Sequence, residues 1–199
     1  LIHKFYRAGV QLALAICDPK LRTFFYSSER IILAVPISYP LNKKLQEFQI
    51  PENALDMCWS SSVPTVPPVP LGEFRDIPFV MLKKEGNDLG VRGAAICREA
   101  GFLPKVAIST DQVLTAANIA AQGIGAAFLR GDLFRYSPIQ NRFCLYTLES
   151  NLSRRDIFFA TKRARYVNNA MRMFLMVAGA VFPEEDPQTM SYRYFSEFP

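Results

Sequence analysis

Histidine occurs once and tryptophan once in 199 residues, and the shortage of histidine removes much acid–base and metal chemistry at the outset. His3 stands alone near the first residue, so a serine triad has no base and a zinc site has no second imidazole. The four cysteines, Cys17, Cys58, Cys97 and Cys144, lie far apart with no CxxC pair. Their spacing writes neither a metal knuckle nor a disulfide framework. Cys17 and Cys144 fall in apolar strand-like runs and read as reduced core thiols, which suits a cytoplasmic compartment. No GxSxG elbow occurs. Gly86, Gly90 and Gly93 stand in GNDLGVRG, a spacing that is neither GxGxxG nor a P-loop. The longest apolar run, 173–182, is too short to span a bilayer. Residues 1–7 read as part of a helix rather than a leader. The expectation is therefore no enzyme, no metal, no cofactor and no membrane association.

What the chain does contain is apolar side chains, half of the total, enough for a substantial core. Its length allows one large domain or two small ones. The net charge of +5 is scattered over Lys43 and Lys44, Lys83 and Lys84, Arg154 and Arg155, and residues 162–165. Such pairs read as a solvated basic surface rather than a nucleic-acid stripe. The densest signal is residues 105–130, KVAISTDQVLTAANIAAQGIGAAFLR. Val106, Ile108 and Thr110 suit a strand, and Ser109, Thr110 and Asp111 offer N-cap side chains. Val113, Leu114, Ala117, Ala120 and Ala121 then recur at helical spacing. Gly123 is placed as the helix terminator, and 124–129 has the apolar run of a buried strand. A helix N-terminus at the carboxyl end of such a strand suits a small anion.

The rest of the chain alternates in the same way. Strands are expected at 10–17, 30–36, 79–82, 143–148 and 157–161, with a helix at 88–100 ended by Gly101. An amphipathic helix at 167–182 carries Ala170, Phe174, Val177 and Val181 on one face. Residues 37–73 are less regular, and the proline tract at 60–70 reads either as an extended linker or as an ordered surface loop. The acidic, then aromatic, residues from Pro183 onward are expected to be disordered or to pack on a partner. Alternating strands and helices predict an α/β fold with a mainly parallel sheet covered on both faces. Ligands of such folds bind outside the carboxyl ends of the strands.

Five segments in fixed order carry a family likeness: RIILAVPISYPL, EFRDIPFVMLKKEGND, EAGFLPKVAIST, IAAQGIGAAFL and RRDIFFATKRARYVNNAMRMFL. Over residues 1–182 they resemble the effector-binding domain of LysR-type transcriptional regulators. The resemblance implies a periplasmic-binding-protein-like (type II) fold of two subdomains joined by two crossover strands, here near 31–36 and 158–162. It assigns 1–36 with 162–185 to the remnant of subdomain I and 37–73 to a crossover and proline-rich connection. Residues 74–158 form subdomain II, and 186–199 form a tail. Three departures are expected. No helix-turn-helix segment is present, the connection at 49–69 is long, and the first subdomain lacks its opening strand, helix and second strand. Those elements would amount to about 45 residues at ordinary lengths.

By resemblance, Ser109, Thr110 and Asp111 match the position where a hydroxyl at a helix start touches the effector, although ordinary capping would also account for them. Phe128 and Leu129 are candidate cleft walls, with core packing the plainer role. Asn87 and Asp88 lie in the loop after the first strand of subdomain II, where helix capping is the plainer role. Pro36 and Ser38 follow the first crossover and border the expected cleft. The implied protein is the ligand-sensing part of a cytoplasmic transcription factor. It would bind a small, anionic effector and assemble as a homodimer or tetramer, with helix 88–100 contributing to the contact. Promoter DNA would be met only through a helix-turn-helix absent from this chain. The alternative is a solute-binding protein of a transport system with the same two-lobed fold.

Overall fold

The structure, a computed structural model, describes residues 20–51, 66–85, 87–135, 138–162 and 169–177. The strand expected at 10–17, the helix at 1–7, His3, Cys17, Cys58, Gly86, most of the proline tract and everything beyond 177 lie outside the described residues. The chain divides into two compact units. One comprises Ser28–Arg155, and the described part of the other comprises residues 20–27, 156–162 and 169–177.

The larger unit is organised on β1 (Leu21–Pro36), a strand far longer than the one expected at 30–36. Ile31, Ile32, Leu33, Ala34 and Val35 are all buried, an unbroken apolar run as expected where a strand is covered on both faces. β4 (Ala127–Arg130) and β5 (Phe143–Tyr146) pair with β1 on either side, and both run antiparallel to it. Leu33 faces Phe128 on one side and Tyr146 on the other. β2 (Pro78–Leu82) and β3 (Lys105–Thr110) form a separate parallel pair, extended by a parallel bridge from Phe79 to Ala126. The described strands thus combine antiparallel and parallel pairing in two sheets, where one mainly parallel sheet was expected. Hydrophobic periodicity reports burial but carries no information on the direction of a distant partner strand.

Two helices complete the α/β core. A short helical turn, α1 (Leu41–Lys44), precedes them. In α2 (Asp88–Glu99), Leu89, Ala94, Ile96 and Cys97 are buried, and the chain leaves through Gly101 at φ 81°. In α3 (Val113–Ala121), Ala116, Ala117 and Ala120 face inward. Gly123 follows at φ 88°, a left-handed conformation that glycine adopts without strain. Gly125 then lets the chain press against β2: a Cβ there would stand 2.5 Å from the Pro78 carbonyl oxygen. The Ala126 amide donates to that same oxygen at 2.9 Å.

A buried polar network fixes the segment after β1. The Tyr146 hydroxyl donates to Asn42 Oδ1 (2.9 Å), Asn42 Nδ2 to the Pro36 carbonyl (2.8 Å), and Gln49 Nε2 to the Asn42 carbonyl (2.7 Å). Burial of polar groups is tolerated where each finds a partner in this way. Burial also pushes the Cys97 thiol up to about 12 and raises the Cys144 thiol and the Tyr146 hydroxyl. Both described cysteines are free.

In the smaller unit, β6 (Arg154–Lys162) pairs with β1, and α4 (Asn169–Val177) follows. Phe24 and Leu175 are buried together, with Phe159 packed against them and edge-on to Phe174 at 5.6 Å. The helix buries Leu175, whereas Phe174 and Val177 of the expected apolar face are 61% and 84% exposed.

Candidate functional site

The carboxyl ends of the parallel strands β2 and β3 meet two helix N-termini inside the larger unit. β2 continues into Lys83, whose amide donates to the Thr110 carbonyl at the end of β3 (2.9 Å). That bond brings the loop before α2 and the loop before α3 side by side. The close approach of α2 depends on Gly90, where a Cβ would lie 2.5 Å from the carbonyl oxygens of both Leu82 and Lys83.

Asn87, not Asp88, is the N-cap of α2. Its Oδ1 accepts from the Leu89 amide (3.1 Å), and its Nδ2 donates across to the Asp111 carbonyl (3.3 Å). Asp111 also takes Lys83 Nζ at 3.0 Å, an exposed pair at the mouth of the two loops. Thr110 Oγ1 accepts from the Gln112 amide at 3.5 Å, closing a small side-chain turn. The N-cap of α3 is Gln112, and no side chain caps it, where Ser109, Thr110 and Asp111 were expected to do so. β3 ends at Thr110 as expected, but the helix begins only at Val113, so the oxygen-bearing side chains end up ahead of the N-cap. The leading amides of α3 are therefore left to other acceptors.

The structure thus assembles Asn87, Thr110 and Asp111 with Lys83, which was not among the expected contacts. Its signal was the lysine pair directly after a buried strand. Ser109 is exposed on β3, one residue earlier. Phe128 and Leu129 lie in the core, 4% and 0% exposed. Phe128 stacks on Phe79 at 5.8 Å. Pro36 is buried and Ser38 exposed. Ser38 stands beside Gly123, with Tyr39 donating to the Gly123 carbonyl at 3.3 Å. Thr110 precedes α3 and Gly123 follows it, so a helix of nine residues, about 13 Å at the ordinary rise, separates Ser38 from the cluster.

Behind the cluster lies a set of buried charges that sequence reading missed. Asp88 accepts from Arg92 Nε (3.0 Å to each oxygen) and from Arg155 Nη1 (2.9 Å), and Arg155 also pairs with Glu29. Burial works to lower the pKa of the Arg155 guanidinium, but the carboxylates of Glu29 and Asp88 outweigh it and hold the group above its ordinary value. Among the described residues no three His, Cys, Asp or Glu side chains are placed to hold a metal ion. No described helix is long and apolar enough to cross a membrane.

A mixed α/β core with loops gathered at the carboxyl ends of parallel strands, on two strands whose chain continues into a second unit, defines a periplasmic-binding-protein-like domain. Residues 31–183 match the LysR substrate binding domain, and the chain belongs to that family. It is 26% identical over 166 residues to an uncharacterised HTH-type transcriptional regulator, YcgK, of Bacillus subtilis (strain 168), covering 82% of this chain and 48% of that protein. The chain thus spans about half the length of this relative.

Among solved structures it resembles the regulatory domain of Synechocystis PCC6803 CcmR in complex with 2-PG (TM-score 0.60, 13% identity, 81% of this chain and 66% of that one). It also resembles the effector binding domain of QuiR in complex with shikimate (TM-score 0.56, 13% identity, 81% and 65%). Full-length BenM is a third such structure (TM-score 0.54, 16% identity, 85% and 51%). At these identities the likeness is one of fold.

Proposed function

We propose that this chain is the ligand-sensing part of a cytoplasmic DNA-binding transcriptional regulator and that it takes a small anionic effector at the loops following β2 and β3. The observation that carries this reading is the convergence of Lys83, Asn87, Thr110 and Asp111 beside the N-terminus of α3, which no side chain caps. Free first-turn amides and the positive end of the helix dipole favour a carboxylate or phosphate. Thr110 Oγ and Asn87 Nδ2 supply neutral hydrogen bonds, and Ser109 adds a second hydroxyl. Lys83 supplies charge once an incoming anion competes with Asp111 for it. Phe128 and Leu129 support the site from the core, and Ser38, beyond the far end of α3, lies outside it.

In this reading residues 74–158 are subdomain II, 1–36 with 162–185 belong to subdomain I, and the crossovers lie near 31–36 and 158–162. Residues 37–73 connect the two, and 186–199 form a tail. Effector binding shifts the population of two arrangements, with no chemical step. DNA is read by a helix-turn-helix encoded outside this chain, in a homodimer or tetramer. Family membership favours this over the solute-binding alternative.

The test is a calorimetric titration with shikimate, benzoate and 2-PG as probes, on the wild type and on Thr110→Ala. Losing the threonine hydroxyl donor weakens the binding of a recognised probe by about tenfold, in line with one net hydrogen bond. Binding that survives the combined loss of Lys83, Asn87 and Thr110 side chains would place the effector elsewhere and overturn the reading.

A further inference from the structure

Two buried carboxylates and two half-buried guanidiniums connect the candidate site to the two strands by which the chain leaves the larger unit. Glu29 lies on β1, one residue after the unit boundary at Ser28, and Arg155 is the last residue before the other boundary. Asp88 opens α2, directly after Asn87, and Arg92 lies one turn further on. The side chains of Glu29, Asp88, Arg92 and Arg155 are 8%, 7%, 12% and 20% exposed. Asp88 and Glu29 thus face Arg92 and Arg155, with Arg130 approaching Glu29 from the rim at 4.0 Å. Arg92 Nη1 in addition donates to the Leu152 carbonyl (3.0 Å) and the Arg154 carbonyl (3.3 Å), which ties α2 to the start of β6.

Buried ion pairs are a weak source of stability, because desolvation cancels much of the attraction. An apolar cluster of the same volume would hold these elements together as well. What an ionic cluster adds is directionality: charge-assisted hydrogen bonds are short and oriented, so each carboxylate fixes the guanidinium it faces.

The geometry points to Asp88, Arg155 and Glu29 as positioning residues that couple the occupancy of the Asn87–Asp111 cluster to the pairing of β1 and β6. Asn87 holds the Asp111 carbonyl, and the next residue, Asp88, grips Arg155. Arg155 in turn grips Glu29. A ligand that moves the first turn of α2 moves the Asp88 carboxylate, and Arg155 carries that shift to β1 and β6. Coupling of this kind is reciprocal. The functional sense of the proposal rests on the effector reading above.

Hydrogen–deuterium exchange of the whole chain without ligand tests the coupling alone, so it and the titration fail separately. In Glu29→Gln, exchange in residues 88–92 rises by about tenfold, the rate equivalent of coupling within one charge network. In Asp88→Asn, residues 29–33 respond to a similar extent. On an Arg155→Met background, Glu29→Gln adds nothing at residues 88–92. Peptides over β5 serve as the internal reference, since a general loss of stability would speed them equally. Acceleration that exceeds the β5 reference at the distant segment supports the coupling. Acceleration confined to the substituted segment, or equal throughout, overturns it.

Discussion

Replacing Asp88 by alanine removes the carboxylate at the centre of the buried charge cluster, and the cost follows from its partners. Asp88 receives three hydrogen bonds from two guanidiniums, at 3.0, 3.0 and 2.9 Å, in a setting where its own side chain is 7% exposed. Removing one partner of a buried pair costs about 3–5 kcal/mol, most of it the penalty of the charge left behind. Arg155 keeps Glu29 and Arg92 keeps two carbonyls, which moves the expectation to the lower end. Losing an acidic residue from the first turn of α2 adds about 0.5 kcal/mol through the helix dipole. The total is about 3.5 kcal/mol. Followed by far-UV circular dichroism in urea, with a slope of about 2 kcal/mol/M, the midpoint falls by about 1.7 M. A double-mutant cycle with Arg92→Ala then isolates the pair. A loss below about 0.5 kcal/mol, the range of exposed pairs, would show that the cluster is solvated and would refute the reasoning.

Two further outcomes follow from the packing and the buried thiols. Gly90→Ala puts a Cβ 2.5 Å from two backbone oxygens, so α2 must retreat from the end of β2. Thermal melts should show a loss of about 1–3 kcal/mol, the usual cost of overpacking, and the same shift should carry Asn87 away from Asp111 and weaken probe binding. Cys97 is raised by burial from 9.0 to about 12, so its proton is held more tightly in the folded chain. The stability it contributes is complete below about pH 8.5, where the unfolded thiol is also protonated. It is lost as pH rises towards 12, with Tyr146 displaced in the same direction. Melting temperatures measured from pH 8 upward should fall, and iodoacetamide at pH 8 should label Cys97 only after denaturant is added. Ready labelling of the native chain would contradict the burial.

The elements nearest the site were legible in sequence because local signals fix them. β2, α2, β3 and α3 formed close to where periodicity, Asn87, Gly101 and Gly123 placed them. What escaped was set by distant partners. The antiparallel pairing of β1 with β4 and β5 leaves no local trace in RIILAVP. The exposure of Val106 and Ile108, 52% and 37%, was hidden by a residue choice that also suits a buried strand. Glu29 in SSERIIL and Arg155 in SRRDI look like solvated charges, and only the fold reveals that Arg155 bridges Glu29 and Asp88. The caps of α3 were misplaced for a related reason. Ser109, Thr110 and Asp111 all favour a helix start, and the strand pairing to β2, which runs through Thr110, decided where extension ended.

The glycines of this unit separate two kinds of information in the family's sequences. A side-chain carbon at Gly90, Gly93 or Gly125 would stand 2.5–2.8 Å from a backbone oxygen or the Phe128 ring. These positions therefore answer to the architecture and would stay glycine whatever the protein senses. The side chains of Lys83, Asn87 and Asp111 stand on the loops after β2 and β3, and that of Thr110 at the end of β3, where they meet one another rather than a packed backbone. Divergence among relatives that respond to different molecules has room to accumulate in those loops while the glycine frame stays fixed.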